Sequence, residues 1–404
     1  MLTSRERVLN ALNFRPVDRL PCDLGGTRSS GISAFAYPRL VEALGLPPRD
    51  ILIEDTLQML ALPDRDVLDA LGIDVVAILD GVTNALDQPD LWHDYKFNGR
   101  LHAKVRWPQN FRAQENGAIV QVPNLRMVPD AYVFDEEHGG QPVEWENELP
   151  RPDLKNVYQS CEKAILQDEQ IVALRELCRR VRENTDRAVV LTEKSIKTVM
   201  GIGSFTGIGL FPILCITDPD YVIELHEMLC RFQLENLQRL LPEIWKYVDV
   251  IKMLSDDWGT QQNLIASPKV FRKLFLPYYH RLNNAVHTLA PGVKTLLHSC
   301  GAIYDLLDLV IESGFDALNP VQWSAGKHSV QEWKDKCRGR IVLWGGGVNA
   351  QATLPHGSID DVYFEAQMSA QILGQDSGYI FCNIHNLLAE IDPYKIIAMY
   401  RATR

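Results

Sequence analysis

The sequence predicts an α/β fold, a (β/α)8 TIM barrel with an antiparallel β insertion after the second strand. Three observations predict it: eight short β-like runs recur along the 404 residues, capped helical patterns fill most gaps between them, and one stretch breaks that rhythm with hairpin signals. The runs are Leu20–Asp23, Val75–Leu79, Ala188–Leu191, Val248–Met253, Val293–Leu297, Ala317–Asn319, Ile341–Trp344 and Gly378–Phe381.

The elements follow in order. The N-terminus leads into an amphipathic helix with Thr3 and Glu6 at capping-box spacing. Between residues 81 and 152 the dipeptides Asn98-Gly99 and Asn116-Gly117 sit among Tyr95, Phe97, Val105, Trp107, Ile119 and Val120, which predicts β-hairpins. That insertion either walls a substrate pocket, with Trp92, Tyr95 and Trp107 available to an aromatic guest, or serves as a packing or dimer surface. Asp218 to Leu241 carries Val222, Leu225, Leu229, Phe232, Leu237 and Leu240 at mostly helical spacing. Ser267 to Leu289 opens with Ser-Pro, an N-cap followed by proline in the first turn, and Tyr304 to Ser313 is closed by Gly314. With neither a solenoid-period repeat nor a low-complexity linker, residues 1–404 read as one barrel domain with 81–152 inserted in it.

Composition narrows the function. A chain 46% hydrophobic can bury a large core, yet none of its apolar runs approaches the roughly 18 to 20 residues that cross a bilayer. The N-terminus lacks a secretory apolar core, so the expected location is the cytoplasm. A net charge of −11 without a long Lys/Arg cluster argues against nucleic acid and anionic membranes, and leaves a small molecule or another protein as partner. The eight cysteines have no framework spacing, and several sit in helical patterns, as expected of reduced, buried thiols.

Two cysteines stand apart. His298-Ser299-Cys300-Gly301 follows an apolar run, and on a strand residues i and i+2 share a face, so imidazole and thiol can converge on one soft cation such as Zn²⁺. A third ligand is required, and either Cys382 or His385 in Phe381-Cys382-Asn383-Ile384-His385-Asn386 can supply it. The alternative is a small buried thiol beside a hydrogen-bonded core histidine.

In a (β/α)8 enzyme the chemistry gathers where the strands end. The predicted ends carry Asp23 with Arg28 nearby, Asp80, Glu193-Lys194, Asp256-Asp257, His298 with Cys300, Asn319 with Gln322, Gly345-Gly346-Gly347, and Cys382 with His385. Asp256-Asp257 either caps a helix or orients substrate or a metal-bound histidine. The three glycines either bind a phosphate through backbone amides or let the backbone pass beneath a bulky ligand. Arg28 either clamps a carboxylate or makes a surface salt bridge. The remaining histidines, among them His93, His102, His138, His226, His280 and His287, read as structural or exposed.

These residues resemble the uroporphyrinogen decarboxylase superfamily almost end to end. The resemblance rests on Arg5-Glu6-Arg7-Val8-Leu9-Asn10-Ala11-Leu12, on Pro16-Val17-Asp18-Arg19-Leu20-Pro21, and on Gly314-Phe315-Asp316-Ala317-Leu318-Asn319-Pro320-Val321-Gln322. Trp344-Gly345-Gly346-Gly347 and His385-Asn386 complete it. It implies a (β/α)8 barrel. The decarboxylases carry an N-terminal Arg-Gln-Ala-Gly-Arg whose two arginines hold porphyrinogen carboxylates, whereas this chain has one arginine in Leu24-Gly25-Gly26-Thr27-Arg28-Ser29-Ser30-Gly31. Cofactor-free decarboxylation is therefore the second expectation. The resemblance to the zinc- and corrinoid-dependent methyltransferases, with their His-x-Cys and a distant third ligand, implies Zn²⁺ on His298, Cys300 and Cys382, with His385 in reserve. It further implies a methyl ether, thiol or amine as methyl donor or acceptor, and a corrinoid on a partner protein. Asp257, Glu193, Asn319 and Gln322 are then candidates to orient the substrate or protonate a leaving group.

Overall fold

The computed structural model describes residues 1–136, 149–197 and 200–404. Its centre is a curled, mostly parallel sheet. The strands are β1 (Val75–Leu79), β2 (Ala188–Leu191), β3 (Val250–Ser255), β4 (Lys294–His298), β5 (Ala317–Asn319), β6 (Val342–Trp344) and β7 (Tyr379–Ile380). Each lies parallel to the next in that order, and Val82–Thr83 folds back antiparallel on β1. β1, Val-Val-Ala-Ile-Leu, is buried throughout, as is β2. Continuous rather than alternating burial is what a parallel sheet covered on both faces requires.

The two edges of this ladder meet at residues 21–23. The Phe381 amide donates to the Pro21 carbonyl and the Asp23 amide to the Phe381 carbonyl, both at 2.8 Å, while the Asp74 amide donates to the Cys22 carbonyl at 2.8 Å. Cys22 itself forms a parallel bridge with Phe381. One short segment is thus bonded to the end of β7 on one side and the start of β1 on the other, as an eight-stranded parallel barrel demands.

Helices cover the outside. The first, α1 (Ser4–Leu12), begins with the expected capping box between Thr3 and Glu6. The longest, α2 (Pro219–Ile244), opens on Asp218, whose side chain accepts from the Tyr221 amide, and buries Val222, Leu225, Leu229, Leu237 and Leu240. The helix expected over 267–289 is two: Pro268–Leu274 and Leu276–Leu289. Pro277 is the reason, since it lacks an amide proton and its ring excludes the carbonyl four residues earlier, so the chain breaks at Phe275. Among the described residues no helix is long and apolar enough to cross a membrane.

Between β1 and β2 the chain forms antiparallel pairs. His93–Lys96 pairs with His102–Val105, and Phe111–Ala113, Ile119–Gln121, Leu125–Met127 and Asp135–Glu136 form a second sheet. Asn98 and Gly99 both have positive φ, 51° and 74°, in the turn between the first pair. Residues 137–148, including His138, lie outside the described residues.

The closing segment is fastened from below. Asp74, fully buried just before β1, accepts from Arg7 Nη1 at 2.7 Å, from both terminal nitrogens of Arg19 at 2.7 and 2.8 Å, and from the Cys22 amide at 3.0 Å. It ties α1, the closing segment and β1 into one charged knot. Asp74→Ala leaves the buried Arg7 and the Cys22 amide without this partner, and should cost on the order of 3–5 kcal/mol, measured as a fall in the chemical denaturation midpoint.

Candidate metal centre

Strands β3 and β4 pair in parallel with a register shift between Lys252 and Leu254 that sets Ser255 opposite His298, so the residues that follow them emerge side by side at the barrel mouth. There the donor atoms of Asp257, His298 and Cys300 all lie within 4.8 Å of one another. His298 is buried at the end of β4. Its Nδ1 lies 2.7 Å from Asn319 Oδ1, which accepts a hydrogen bond from Nδ1–H and leaves Nε2 as the lone-pair nitrogen, 3.4 Å from Asp257 Oδ1. A second hydrogen bond holds the carboxylate: Asp257 Oδ1 accepts from the Cys300 amide at 3.0 Å.

Main-chain packing fixes this arrangement. A Cβ on Gly301, whose φ is +87°, would lie 2.3 Å from the Gly259 carbonyl oxygen, and a Cβ on Gly259 would lie 2.4 Å from the Ala302 nitrogen. The loops after β3 and β4 therefore cross backbone on backbone, which only glycine permits on either side. The Gly301 amide is held in turn by Gln322 Oε1 at 2.7 Å.

The electrostatics follow from burial and neighbours. Burial pushes the His298 imidazolium down, reinforced by the positive charges of Lys252 and His385 and opposed by Asp257. Burial, the Asp257 charge and its hydrogen bond push the Cys300 thiol up to about 12. Burial alone would raise Asp257, but His298, the Cys300 amide and His385 outweigh it, and its carboxyl lies below the usual range. A soft divalent cation at this point would reverse the thiol's preference, because metal coordination takes thiolate directly. An imidazole with its remote nitrogen anchored, a thiol and a carboxylate form a donor set that fits Zn²⁺, with Asn319 as the outer hydrogen-bond partner.

The other expected site residues divide. His385 is close, its ring centroid 5.7 Å from that of His298. Cys382 does not join the group: it is fully buried, its Sγ lies 3.2 Å from the Asn383 carbonyl and 3.9 Å from Asn319 Nδ2, and it packs beneath Gly345. The glycine turn explains that position. The Gly345 and Gly347 amides donate to the Ile380 and Cys382 carbonyls at 2.8 and 2.9 Å, so they are engaged in the barrel wall rather than turned to a phosphate. A Cβ at Gly346 would lie 2.7 Å from the Val321 carbonyl and one at Gly347 2.7 Å from the Phe381 ring, so close approach to protein accounts for these glycines. Arg28 Nε pairs with Glu54 at 3.0 Å and with Asp55 at 3.1 Å. Of the paired acids after β3, Asp256 is buried and takes hydrogen bonds from Trp258, Tyr279 and the Ile202 amide. Of the aromatics between β1 and β2, Tyr95 packs on Phe97 and Phe111 and Trp92 in an apolar group with Leu62, Leu79 and Val82, whereas Trp107 is exposed with Arg106 over its ring.

Glu193 begins the short helix after β2, where its Oε1 lies 3.1 Å from Lys252 Nζ and 3.1 Å from Ser255 Oγ. Lys252 is a functional candidate that the strand-end pattern does not mark, since it lies within β3 rather than after it. Its signal was a lysine inside the apolar run Val250-Ile251-Lys252-Met253-Leu254, where a buried charge requires a partner.

Comparison with known proteins agrees with this architecture. The chain aligns with a solved "methyltransferase from Methanosarcina mazei" over 100% of its own length and 98% of that chain, with a TM-score of 0.55 and 16% identity. A structure described as CbXyn10B in native form aligns over 58% of this chain and 82% of that one, at a TM-score of 0.32 and 6% identity, and carries no argument. No curated protein matches the chain. The family model for uroporphyrinogen decarboxylase (URO-D) matches residues 151–404, which include the entire donor cluster, and on that match the chain belongs to the uroporphyrinogen decarboxylase family.

Proposed function

We propose that this chain is a zinc-dependent methyltransferase that moves a methyl group between a small methylated substrate and the cobalt of a corrinoid carried by a separate protein. The observation that carries the reading is the convergence of Asp257, His298 and Cys300 within 4.8 Å at the barrel mouth, with His298 anchored through Asn319. Membership of the URO-D family and a barrel like that of a chain named as a methyltransferase support it. The antiparallel strands between β1 and β2 are read as an insertion in a single barrel domain of 404 residues.

In this reading His298, Cys300 and Asp257 hold the ion, and His385 stands beside them. Bound zinc supplies Lewis acidity toward an ether oxygen, amine nitrogen or thiol sulfur, which eases departure of the methyl group or formation of a thiolate acceptor. The chain's own residues do the rest. Asn319 keeps His298 in the tautomer that offers Nε2, and Gln322 and the Cys300 amide hold the loop and the carboxylate in place. The decarboxylase alternative has less support, because Arg28 is already balanced by two carboxylates, Glu54 and Asp55, and offers little charge to a polycarboxylate.

Elemental analysis tests the assignment. Wild-type protein should hold about one zinc per chain, and His298→Ala or Cys300→Ala should abolish stoichiometric binding. Cys382→Ala should retain it; loss of zinc there would return Cys382 to the ligand set. Asn319→Ala should weaken zinc affinity by roughly 10–100-fold in a chelator competition while Asn319→Asp, which keeps the acceptor, should lose less. Gly301→Ala forces the two loops apart, and circular dichroism together with zinc content should report a folded protein with impaired binding.

A further inference from the structure

Beside the donor cluster lies a pair of charges that the proposed chemistry leaves unused. Lys252 projects from β3 with its side chain 2% exposed, and its ammonium meets Glu193 Oε1. The same oxygen accepts from Ser255, which is exposed at the mouth and stands opposite His298 in the ladder. Glu193 is thus held by two hydrogen bonds to one oxygen, with β3 lying between it and the strand of His298. Its other oxygen, Oε2, is buried and has no hydrogen-bond partner among the described residues. A buried acceptor left open on an ionised group is costly, and at a ligand site its natural partner is the ligand.

The charges around it say what kind of partner. Burial would raise the Glu193 carboxyl, but Lys252 and Ser255 help keep it below the usual carboxylate range, so it accepts hydrogen bonds rather than donating one. Arg28 also feels its charge. Lys252 already balances the Glu193 charge and Arg28 is already paired with Glu54 and Asp55, so the open oxygen needs a hydrogen-bond donor but no further cation, and an uncharged O–H or N–H suffices. From this geometry we propose that Glu193 Oε2 is a specificity-determining acceptor for the substrate, positioned by Lys252 and Ser255, and that the substrate carries an uncharged hydrogen-bond donor close to the heteroatom that exchanges methyl. The proposal rests on the methyltransferase reading and deepens it by naming a feature of the substrate.

The test uses two thiols that differ by one hydroxyl. Calorimetric titration of the protein, with and without added zinc, compares 2-mercaptoethanol with ethanethiol. A charge-assisted hydrogen bond in a buried setting predicts roughly 10-fold or greater preference for 2-mercaptoethanol. Glu193→Ala alone strands the Lys252 charge, so the double variant Glu193→Ala/Lys252→Met, with melting followed by circular dichroism, removes both together. It should bind the two thiols alike, and Ser255→Ala, which loosens only the positioning, should keep part of the preference. 2-Aminoethanethiol should gain less than 2-mercaptoethanol. Equal binding of the two neutral thiols by wild-type protein in both metal states overturns the proposal, as does a preference that survives in the double variant. Zinc content, measured on the same samples, reports on the metal reading alone: full occupancy without preference sinks the acceptor, and absent zinc with the preference intact sinks only the metal.

Discussion

Everything at the mouth depends on two loops touching main chain to main chain at Gly259 and Gly301. The strands beneath them supply direction, since β3 and β4 end with Ser255 opposite His298 and release their last residues at one level. Register alone brings two loops near each other, but does not set their spacing. The glycine crossing does, because the carbonyl of one residue occupies the volume in which a side chain on the other would stand. Asp257 precedes one glycine by two residues and Cys300 directly precedes the other. Their separation is therefore inherited from backbone contact, which is stiffer than any side-chain packing.

The barrel below is held by a comparable economy of contacts. A three-residue segment closes the ladder, and a single buried carboxylate, Asp74, answers two arginines from the N-terminal part of the chain. Charge that is buried at the foot of the sheet is matched by charge buried near its top, where Lys252 and Glu193 pair. In both places the ion pair joins segments far apart in sequence, so it specifies which segments meet as well as stabilising their meeting.

Much of this was legible in the letters. The parallel strands are short apolar runs buried on both faces, and apolar text bounded by polar residues marks them within a residue or two, as Val75–Leu79 and Ala317–Asn319 show. Asn98-Gly99 declared its turn because few other pairs tolerate two positive φ values. What stayed hidden depends on three-dimensional neighbours. Pro277 split a helix whose apolar periodicity runs straight through it. Cys382 looked like a ligand because it follows a strand and carries sulfur, but direction of a side chain after a strand is set by the turn that packs on it, here Gly345 to Gly347. Asp257 read as an orienting residue, and only the loop crossing brings its carboxylate into reach of His298 and Cys300. Lys252 stayed hidden inside an apolar strand run, because its partner Glu193 lies on another strand's loop.

The glycine crossing also limits how this barrel could diversify. A seam made of backbone cannot be widened by small steps, since the first methyl group added already collides. Change at the mouth is then left to the neighbouring rim, where Glu193, Arg28, Glu54 and Asp55 meet through side chains, which tolerate gradual exchange. One half of the mouth is a fixed anvil and the other an adjustable jaw.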